Sequence, residues 1–562
     1  MVLDRFAVNV LTRSMIYAVL AITVDILWGY AGILTFGQAA FFGIGAYATA
    51  IVATHVGDSP AMMALGFVLA VATPMLLGLL VGWLSFYHNS TPLYASVISL
   101  VFPIVVTQLV FSGGVWTGSS SGLVGYTTLP LELGGFFRLA GFCLIVIAVA
   151  AWIFVKSDAG KLLIAIRDNE TRCSYLGLNT SRFKILLTAC LAGVAGLAGF
   201  LYAHASGVVA PENTGFVFGT ELVVWTALGG RGTILGPILG AIGIDYLSAN
   251  LSGELPFLYQ LIVGALFVVM IIVVPGGLAA VVTKIAGIGT NPTAIASVTV
   301  KGVASRPSAG WVEARDALIK IENLGKSYGS HHVLEGIDLS VRAGELVSLV
   351  GPNGAGKTTL MRCVSDGTLE ATGVRQVCGR SIVRLTPSDI VALGVGRKFQ
   401  VASVFDSLTV ADCLRMARMA IDPPSVFAAS RTLALPLSSE RIVKLTGLDQ
   451  LLDSSVSLLS HGQKQSLELA MVVALEPRLI LLDEPTAGLT KPERTMIGGI
   501  LKSLTEELGV AAILVEHDLD FVREISSRIV VLHQGKLVLD GSVEEVVNSA
   551  LVKSVYSGGG HA

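Results

Sequence analysis

The chain has 562 residues, 53% of them apolar and only 14% charged, and its formal net charge is −2. This length exceeds a single domain, the apolar share exceeds that of an average soluble protein, and the weak negative charge argues against a nucleic-acid partner. Residues 1–283 hold 21 of the 78 Asp, Glu, Lys and Arg side chains, which leaves 57 for the remainder. We therefore predict a membrane-embedded first half and a soluble second half.

Apolar stretches of membrane-spanning length recur through the first half, since a helix needs about 20 apolar residues to cross a bilayer core. Eight candidate spans lie at 12–33, 36–56, 62–87, 93–111, 139–155, 183–205, 233–252 and 256–281. A shorter apolar stretch at 219–229 is predicted to be a partial or re-entrant element. Residues 1–283 are thus predicted to form an all-α, multi-pass domain in a lipid bilayer.

Small residues and two acids stand out within these spans. Glycines such as Gly196 and Gly199 allow helices to pack closely in lipid. Asp25 and Asp245 fall inside predicted spans, where an ionisable group is costly and usually faces a bundle interior or a cavity. The sequence leaves open whether these two carboxylates line a transport path or bond neighbouring helices together.

A polar, basic connection occupies residues 156–184 between two predicted spans. Its cations are Lys156, Lys161, Arg167, Arg172, Arg182 and Lys184. A connection of this charge is expected on the cytoplasmic side of a membrane. Its centre, Leu162–Leu176, is predicted to be a short amphipathic helix on which a soluble domain docks; the alternative is a solvated loop.

Residues 284–317 differ in composition from both halves, because Gly, Pro, Ser, Thr and Ala dominate without sustained periodicity. This composition is typical of a linker. From residue 318 to 562 short β-branched runs alternate with helical patterns, which predicts an α/β domain.

The stretch GPNGAGKTT fits the phosphate-binding loop G-x-x-x-x-G-K-[ST] and follows the apolar run Leu346–Val350, which is predicted to be a buried strand. Its residues are Gly351, Pro352, Asn353, Gly354, Ala355, Gly356, Lys357, Thr358 and Thr359. Backbone N–H groups of such a loop hold phosphates, Lys357 is placed for the β- and γ-phosphates, and Thr358 for Mg²⁺. A nucleoside triphosphate is therefore expected to bind here.

Two further features complete a triphosphate site. Arg478–Pro485 reads RLILLDEP, a buried strand ending in Asp483 and Glu484. The first carboxylate is placed to hold Mg²⁺, and the second to polarise the attacking water. Tyr328 precedes the phosphate loop and is a candidate for stacking on adenine, with a core tyrosine as the alternative.

Together with LSHGQ at Leu459–Gln463, these motifs make residues 318–562 resemble the ATP-binding-cassette (ABC) ATPases. The resemblance implies ATP and Mg²⁺ as ligands. It implies that Ser460, His461, Gly462 and Gln463 form the signature sequence, and that His517 contacts the γ-phosphate. Gln400, in GRKFQ, would face the metal and link the nucleotide site to the membrane half. Thr490 replaces the acid that is usual in the loop between two such sites.

In that family the signature of one ATPase completes the ATP site of another. This chain has one phosphate loop and one signature, so the resemblance implies a second ATPase domain. The complete fold is thus predicted as an all-α polytopic membrane domain followed by an α/β P-loop ABC ATPase domain.

The membrane half is similar to permeases of branched-chain amino acid importers. The similarity lies in TFGQAAFFGIGAY, AIRDNETRCSYLG and ALGGRGTILGPILG, at 35–47, 165–177 and 227–240. It implies a second permease subunit, or a second copy of this chain, and a periplasmic substrate-binding protein. It also implies the inner membrane of a bacterium, with the ATPase domain in the cytoplasm.

The motifs leave the substrate open. Branched-chain or related amino acids come first, while GVGRKFQ and LSHGQKQ are similar to ATPases of urea importers, which makes urea or short amides the alternative. An exporter half-transporter would need long cytoplasmic helices that 156–184 is too short to supply. A membrane-anchored regulatory ATPase would need only one span.

Overall fold

The computed structural model describes residues 4–87, 92–254, 258–274, 276–285, 298–304, 317–430 and 432–549. The chain forms two compact units. The first comprises 1–167, 180–293 and 425–429, and the second comprises 168–179, 294–424 and 430–562. The stretch 168–179, from the centre of the basic connection, thus belongs to the unit that carries the phosphate loop. The domain boundaries at 283/284 and 317/318 stay predictions.

The first unit is built from helices and one short strand pair. The helices are α1 (Arg5–Asp25), α2 (Gln38–Ile51), α3 (Pro60–Phe86), α4 (Pro92–Ser112), α5 (Leu133–Lys156), α6 (Asp158–Tyr175), α7 (Thr180–Ser206), α8 (Phe216–Gly230), α9 (Leu235–Glu254), α10 (Tyr259–Val273) and α11 (Gly277–Ile285). The antiparallel strands are β1 (Leu123–Val124) and β2 (Val208–Val209). Helix α6 passes from this unit into the second.

Six helical stretches in the described residues are long and apolar enough to cross a membrane. They are Arg5–Tyr30 and Gln38–Val56, in which π-helical turns extend α1 and α2, and Pro60–Phe86, Leu93–Ser112, Leu133–Lys156 and Thr180–Ser206, which lie in α3, α4, α5 and α7. Helices α8 and α9 are bent by 118° relative to each other and together count as one broken span or re-entrant loop. The separate span predicted at 233–252 and the partial element at 219–229 are therefore two arms of one bend. The eighth predicted span, 256–281, includes residues outside the described ranges, and its helix α10 has 15 residues.

Glycines bring the helices of the first unit together, as the sequence predicts. A Cβ on Gly196 would lie 2.1 Å from the Ala70 carbonyl oxygen on α3. A Cβ on Gly199 would lie 2.1 Å from the Phe42 carbonyl oxygen on α2. Any larger residue at these positions of α7 would push α2 and α3 away.

The two predicted intramembrane acids bond to neighbouring helices. Asp25, fully buried on α1, accepts a 2.7 Å hydrogen bond through Oδ1 from the Gly232 N–H, which lies in the turn between α8 and α9. Asp245 on α9 accepts hydrogen bonds from Arg13 Nη2 at 2.9 Å and Ser14 Oγ at 2.6 Å, both on α1. Each carboxylate thus joins α1 to the α8–α9 bend.

The second unit combines strands and helices. Its strands are β3 (Thr299–Val303), β4 (Ile319–Tyr328), β5 (His331–Val341), β6 (Leu346–Val350), β7 (Thr372–Val377), β8 (Arg380–Ser381), β9 (Val395–Lys398), β10 (Thr432–Pro436), β11 (Leu479–Asp483), β12 (Ala511–Val515), β13 (Arg528–His533) and β14 (Lys536–Gly541). Its helices are α12 (Lys357–Ser365), α13 (Pro387–Ala392), α14 (Val410–Arg418), α15 (Leu437–Leu445), α16 (His461–Ala474), α17 (Lys491–Glu506), α18 (Leu519–Ile525) and α19 (Val543–Asn548).

A six-stranded sheet in the order β14-β13-β6-β12-β11-β9 forms the centre of this unit, with β14 as the antiparallel edge strand. Strands β6 and β11 both pair in parallel with β12. Their carboxyl ends, followed by the phosphate loop and by Glu484, therefore lie at one edge of the sheet, where ligands of α/β proteins bind. A four-stranded antiparallel sheet, β5-β4-β7-β8, lies in the same unit. The α/β prediction is confirmed.

One strand lies within the stretch predicted to be a linker. Strand β3 pairs in parallel with β10, so that Thr299 is opposite Thr432 and Val303 is opposite Pro436. The remainder of 284–317 lies mostly outside the described residues. Backbone hydrogen bonds thus fix Thr299–Val303 to β10 of the second unit, and the linker role of the stretch stays a prediction.

Candidate functional site

The phosphate loop joins the end of β6 to the start of α12, in the strand–loop–helix context that the motif requires. Gly354 and Gly356 have φ values of +81° and +104°, which favour glycine. A Cβ on Gly351 would lie 2.0 Å from the Leu532 carbonyl oxygen. Lys357 Nζ donates to the carbonyl oxygens of Gly351 at 2.7 Å and Pro352 at 3.0 Å. The loop is therefore wrapped around its own ammonium group.

Lys357 and the start of α12 provide the positive charge that binds a polyanion. Burial lowers the pKa of its ammonium, and the nearby Glu484 and Asp483 carboxylates oppose that shift. The helix α12 begins at Lys357 and directs its N-terminal N–H groups and positive dipole end toward the loop. Cationic and dipolar attraction for phosphate is thus concentrated at one end of the sheet.

Asp483 and Thr358 meet at the predicted metal position. Burial raises the pKa of the Asp483 carboxyl, while Arg397 and a hydrogen bond from the Thr358 hydroxyl oppose the rise. Asp483 Oδ1 is buried and has no hydrogen-bond partner in the described structure. A hydroxyl and an orphaned carboxylate oxygen fit Mg²⁺, which prefers a few protein oxygens together with substrate phosphates. No cluster of three or more His, Cys, Asp or Glu ligands occurs in the described part of the chain.

The three predicted catalytic residues come together around one carboxylate. Gln400 Nε2 donates to Glu484 Oε2 at 3.0 Å, and His517 Nε2 lies 2.8 Å from Glu484 Oε1. Glu484 has φ +45°, an uncommon conformation for a residue other than glycine. This backbone turns the Glu484 side chain out of the line of β11 and toward its two partners. Such conformations cost about 1–3 kcal/mol and recur at functional sites.

The signature residues cap a helix. Ser460 is the N-cap of α16, its Oγ accepts from the Gln463 N–H, and Gln463 Oε1 accepts from the Ser460 N–H. His461 lies against Gly488, where an added Cβ would be 3.2 Å from the imidazole.

Tyr328 ends β4 at the tip of the β4–β5 hairpin, where 46% of it is exposed. Lys326 Nζ lies 4.6 Å from the centre of its ring. The side chain is therefore available at the surface, and its stacking on adenine stays a prediction.

Thr490, the departure from the family pattern, has a structural role. It is the N-cap of α17, and its N–H and hydroxyl both donate to Glu493 Oε2, at 2.8 and 2.7 Å. Threonine is a good N-cap residue, as is aspartate. The position therefore keeps the cap while it loses a negative charge.

The helix predicted over Leu162–Leu176 is present as α6, with a kink at Asn169, whose φ is −157° and ψ 84°. Beyond the kink the chain belongs to the second unit. Asp168 accepts from Ser407 N at 2.8 Å and from Ser407 Oγ at 3.0 Å, and Asn169 Nδ2 donates to Ser403 Oγ at 3.0 Å. Both serines lie in the loop that follows Gln400. We call residues 168–179 the docking segment.

Comparison with known proteins finds two family models that match separate parts of the chain. Residues 6–274 match the family model described as the permease component of the branched-chain amino acid transport system, and residues 334–487 match the ABC transporter model. The ATPase half is 32% identical over 261 residues to the methionine import ATP-binding protein MetN 2 of Rhodopseudomonas palustris, which covers 45% of this chain and 67% of that protein.

Two further relatives show the breadth of the similarity. The sulfate/thiosulfate import ATP-binding protein CysA of Halalkalibacterium halodurans is 34% identical over 239 residues, so that the chain spans 65% of its length. The branched-chain amino acid transport ATP-binding protein BraF of Pseudomonas aeruginosa is 29% identical over 250 residues, which cover 43% of this chain and 98% of BraF. The solved structure of CbiO1 from Clostridium perfringens aligns with 43% of this chain and 95% of that one, at 28% identity and a TM-score of 0.36.

These matches account for both halves. The second half is an ABC ATPase, which binds ATP and in which hydrolysis of ATP is coupled to transport. The described residues of the first half include six or seven candidate spans, and residues 6–274 give the permease match. The chain therefore belongs to the ABC transporter family, as a multi-pass membrane protein in which a permease of the branched-chain amino acid type is fused to an ABC ATPase.

Proposed function

We propose that this chain is the permease–ATPase subunit of an importer that moves branched-chain or related amino acids into a bacterial cytoplasm. The permease match over residues 6–274 carries this proposal, because it covers the part of the chain that crosses the membrane. The similarity to BraF, which extends over nearly that whole protein, supports it. The protein would lie in the inner membrane with its ATPase domain in the cytoplasm.

The site supports hydrolysis through a positioned carboxylate. Glu484 would accept a proton from the attacking water, and Gln400 and His517, each hydrogen-bonded to one of its oxygens, would orient it. Lys357 would neutralise phosphate charge. Thr358, Asp483 and the Gln400 amide oxygen would hold Mg²⁺, which when bound supplies charge stabilisation to the phosphates.

The proposed assembly has more than one chain. This sequence contains one phosphate loop and one signature, so a second ATPase, from another copy of this chain or from a different protein, would complete each ATP site. A second permease subunit would complete the path through the membrane. A periplasmic binding protein would deliver the substrate.

The docking segment would couple the two activities. Its bonds to Ser403 and Ser407 attach it to the loop just beyond Gln400. A change around the nucleotide would therefore reach the helices that continue from the segment. ATP would favour one arrangement of the permease and the hydrolysis products another.

Urea or short amides are the second candidate substrate. The observation that favours them is the likeness of GVGRKFQ at 394–400 and LSHGQKQ at 459–465 to ATPases of urea importers. Because these residues lie in the ATPase half, they indicate kinship and carry no information on the substrate path.

A thermal-shift screen of the substrate-binding protein that works with this chain distinguishes the two candidate substrates. We expect leucine or a related amino acid to raise its melting temperature and urea to leave it unchanged. A shift with urea alone would replace the first substrate by the second. Efflux from reconstituted vesicles without any binding protein would instead identify an exporter.

A further inference from the structure

Arg172 of the docking segment is a cation without any contact with solvent. Its side chain is completely buried, as is that of Glu468 on α16, and Arg172 Nη1 lies 3.3 Å from Glu468 Oε1. The same nitrogen donates to the Arg397 carbonyl oxygen on β9 at 2.9 Å. Asn169 caps the short helical stretch that carries Arg172, since its Oδ1 accepts from the Arg172 N–H at 2.9 Å.

Glu468 is the centre of this cluster. Its Oε1 accepts a second hydrogen bond, from the Phe399 N–H at 3.1 Å. Its Oε2 lies 3.9 Å from the Nζ of Lys398, another completely buried side chain. One carboxylate therefore holds a side chain of the docking segment and the end of the strand that leads directly into Gln400.

Phe399 and Gln400 connect this cluster to the docking segment and to the nucleotide site. Phe399 is packed edge-on against Tyr175 of the docking segment, with ring centres 5.0 Å apart. Its neighbour Gln400 donates to Glu484 through the side chain and accepts through its carbonyl oxygen from Gln465 Nε2 at 3.2 Å. Gln465 and Glu468 lie on α16, the helix that the signature residues begin.

Arg172 belongs to a group of buried charges of both signs. Three buried cations, Arg172, Arg397 and Lys398, face three buried carboxylates. The carboxylates are Glu468, Asp483 and Glu516. Removal of Arg172 takes one positive charge from this group, in a medium of low dielectric constant. Lys398, whose Nζ lies 3.9 Å from Glu468 Oε2, would then be the cation beside Glu468, and it ends the strand that leads into Gln400.

We propose that Arg172 and Glu468 are positioning residues for ATP hydrolysis, which act through Gln400 on Glu484. The Arg172–Glu468 ion pair is the buried connection by which the seating of the docking segment sets the position of the Gln400 amide. This inference rests on the proposed coupling of hydrolysis to transport. It adds to that proposal two residues, Arg172 and Glu468, through which the docking segment acts on Gln400.

The test is a double-mutant cycle with Gln400, read out as kcat and KM for MgATP. The full chain is purified together with its partner permease and ATPase subunits, and the complex is placed in lipid nanodiscs. We expect Arg172→Met to lower kcat about tenfold, a size typical of residues in one hydrogen-bond network, with KM changed less than about twofold. In a Gln400→Ala background the same substitution should lower kcat by less than about twofold. Arg172→Lys, which keeps the charge, should recover most of the loss.

Arg418→Met is the matched control, because Arg418 is also buried and forms an ion pair, with its Nη1 2.7 Å from Glu476 Oε1. Its partners Glu476 and the Ala474 carbonyl oxygen lie at and beyond the C-terminal end of α16. Its effect should be equal in both backgrounds. Glu468→Gln, which keeps the side-chain shape, is the second variant should Arg172→Met fail to assemble. Equal losses from Arg172→Met or Glu468→Gln with and without Gln400 would overturn the inference. Because the readout is hydrolysis, a failure to transport substrate would count against the proposed function alone.

Discussion

Carboxylates in the two units of this chain are held in different ways. Glu484 in the second unit is 19% exposed, adopts a left-handed backbone conformation, and bonds to two polar side chains, Gln400 and His517. Asp25 in the first unit is completely buried and bonds to a backbone N–H. Asp245 bonds to Arg13 and Ser14 on a facing helix.

The first kind of environment suits a catalytic carboxylate, and the second suits a carboxylate that holds helices together. Gln400 and His517 can give up their hydrogen bonds to Glu484 and bind a nucleotide instead. The free-energy cost is small because all three side chains reach solvent. Asp25 has no such exchange, since its loss leaves the Gly232 N–H of the α8–α9 turn without an acceptor in a buried place. The comparison therefore predicts large catalytic effects in one unit and mainly stability effects in the other.

Glu484→Gln should have the largest effect. The amide keeps the size of the side chain but cannot take a proton, so we expect ATP hydrolysis to fall about 100- to 1,000-fold, within the range of a general base. Binding of ATP should persist, as measured with a fluorescent analogue. Glu545→Gln, which changes the cap of α19, should stay within about threefold of wild type. Hydrolysis near the wild-type rate in Glu484→Gln would remove Glu484 from the site.

Lys357→Ala should weaken nucleotide binding. The loss of a buried cation from the phosphate loop removes charged hydrogen bonds, which corresponds to about a 10- to 100-fold higher Kd for MgATP. Isothermal titration of the intact complex measures it, and nucleotide-dependent transport should cease while the subunits still co-purify. Lys320→Ala, at an exposed ion pair, is the control. Unchanged affinity in Lys357→Ala would contradict the phosphate-loop assignment.

Asp168→Lys should reduce coupling more than hydrolysis. The substitution removes both bonds to Ser407 and places a cation there, so the docking segment should seat less well. We expect uptake per ATP hydrolysed to fall about three- to tenfold, in line with couplings of 1–3 kcal/mol between linked sites. Charge reversal at the exposed Asp449, in Asp449→Lys, should leave the uptake per ATP hydrolysed unchanged. A normal ratio in Asp168→Lys would withdraw the coupling role of the docking segment.

Asp25→Leu should give the smallest change, in stability. The Gly232 N–H would lose its acceptor, at a cost of about 1–3 kcal/mol, which lowers the melting temperature of the detergent-solubilised chain by a few degrees. Asp25→Asn keeps an acceptor oxygen and should melt closer to wild type. A leucine variant as stable as the wild type would show that the carboxylate does not hold the α8–α9 bend.

The sequence alone is enough to locate most residues of the candidate ATP site, because the signals are local. GPNGAGKTT places Lys357 and Thr358 on one loop, and LLDEP places Asp483 and Glu484 at one strand end, so the fold only has to place β6 and β11 on the two sides of β12. The meeting of Gln400 with Glu484 needed the family resemblance, because nothing in the GRKFQ stretch itself indicates its partner.

Features that depend on distant partners could not be predicted. Arg172 is one of six cations in a polar stretch, and its burial depends on Arg397, 225 residues away, and on Glu468. Strand β3 has only a short β-branched run, Val298–Val300, within the linker composition, and its partner β10 lies far along the chain. The α8–α9 bend likewise needs Asp25 of α1 to hold its turn.

Uptake into proteoliposomes tests the central claim most directly. Vesicles with the complete complex, its binding protein and labelled leucine would receive ATP on the side that the ATPase domain faces, with wild type and Glu484→Gln compared. We predict that wild type accumulates leucine only with ATP and that Glu484→Gln accumulates none above background. Uptake that persists in Glu484→Gln, or that proceeds without ATP, would contradict the coupling of hydrolysis to transport.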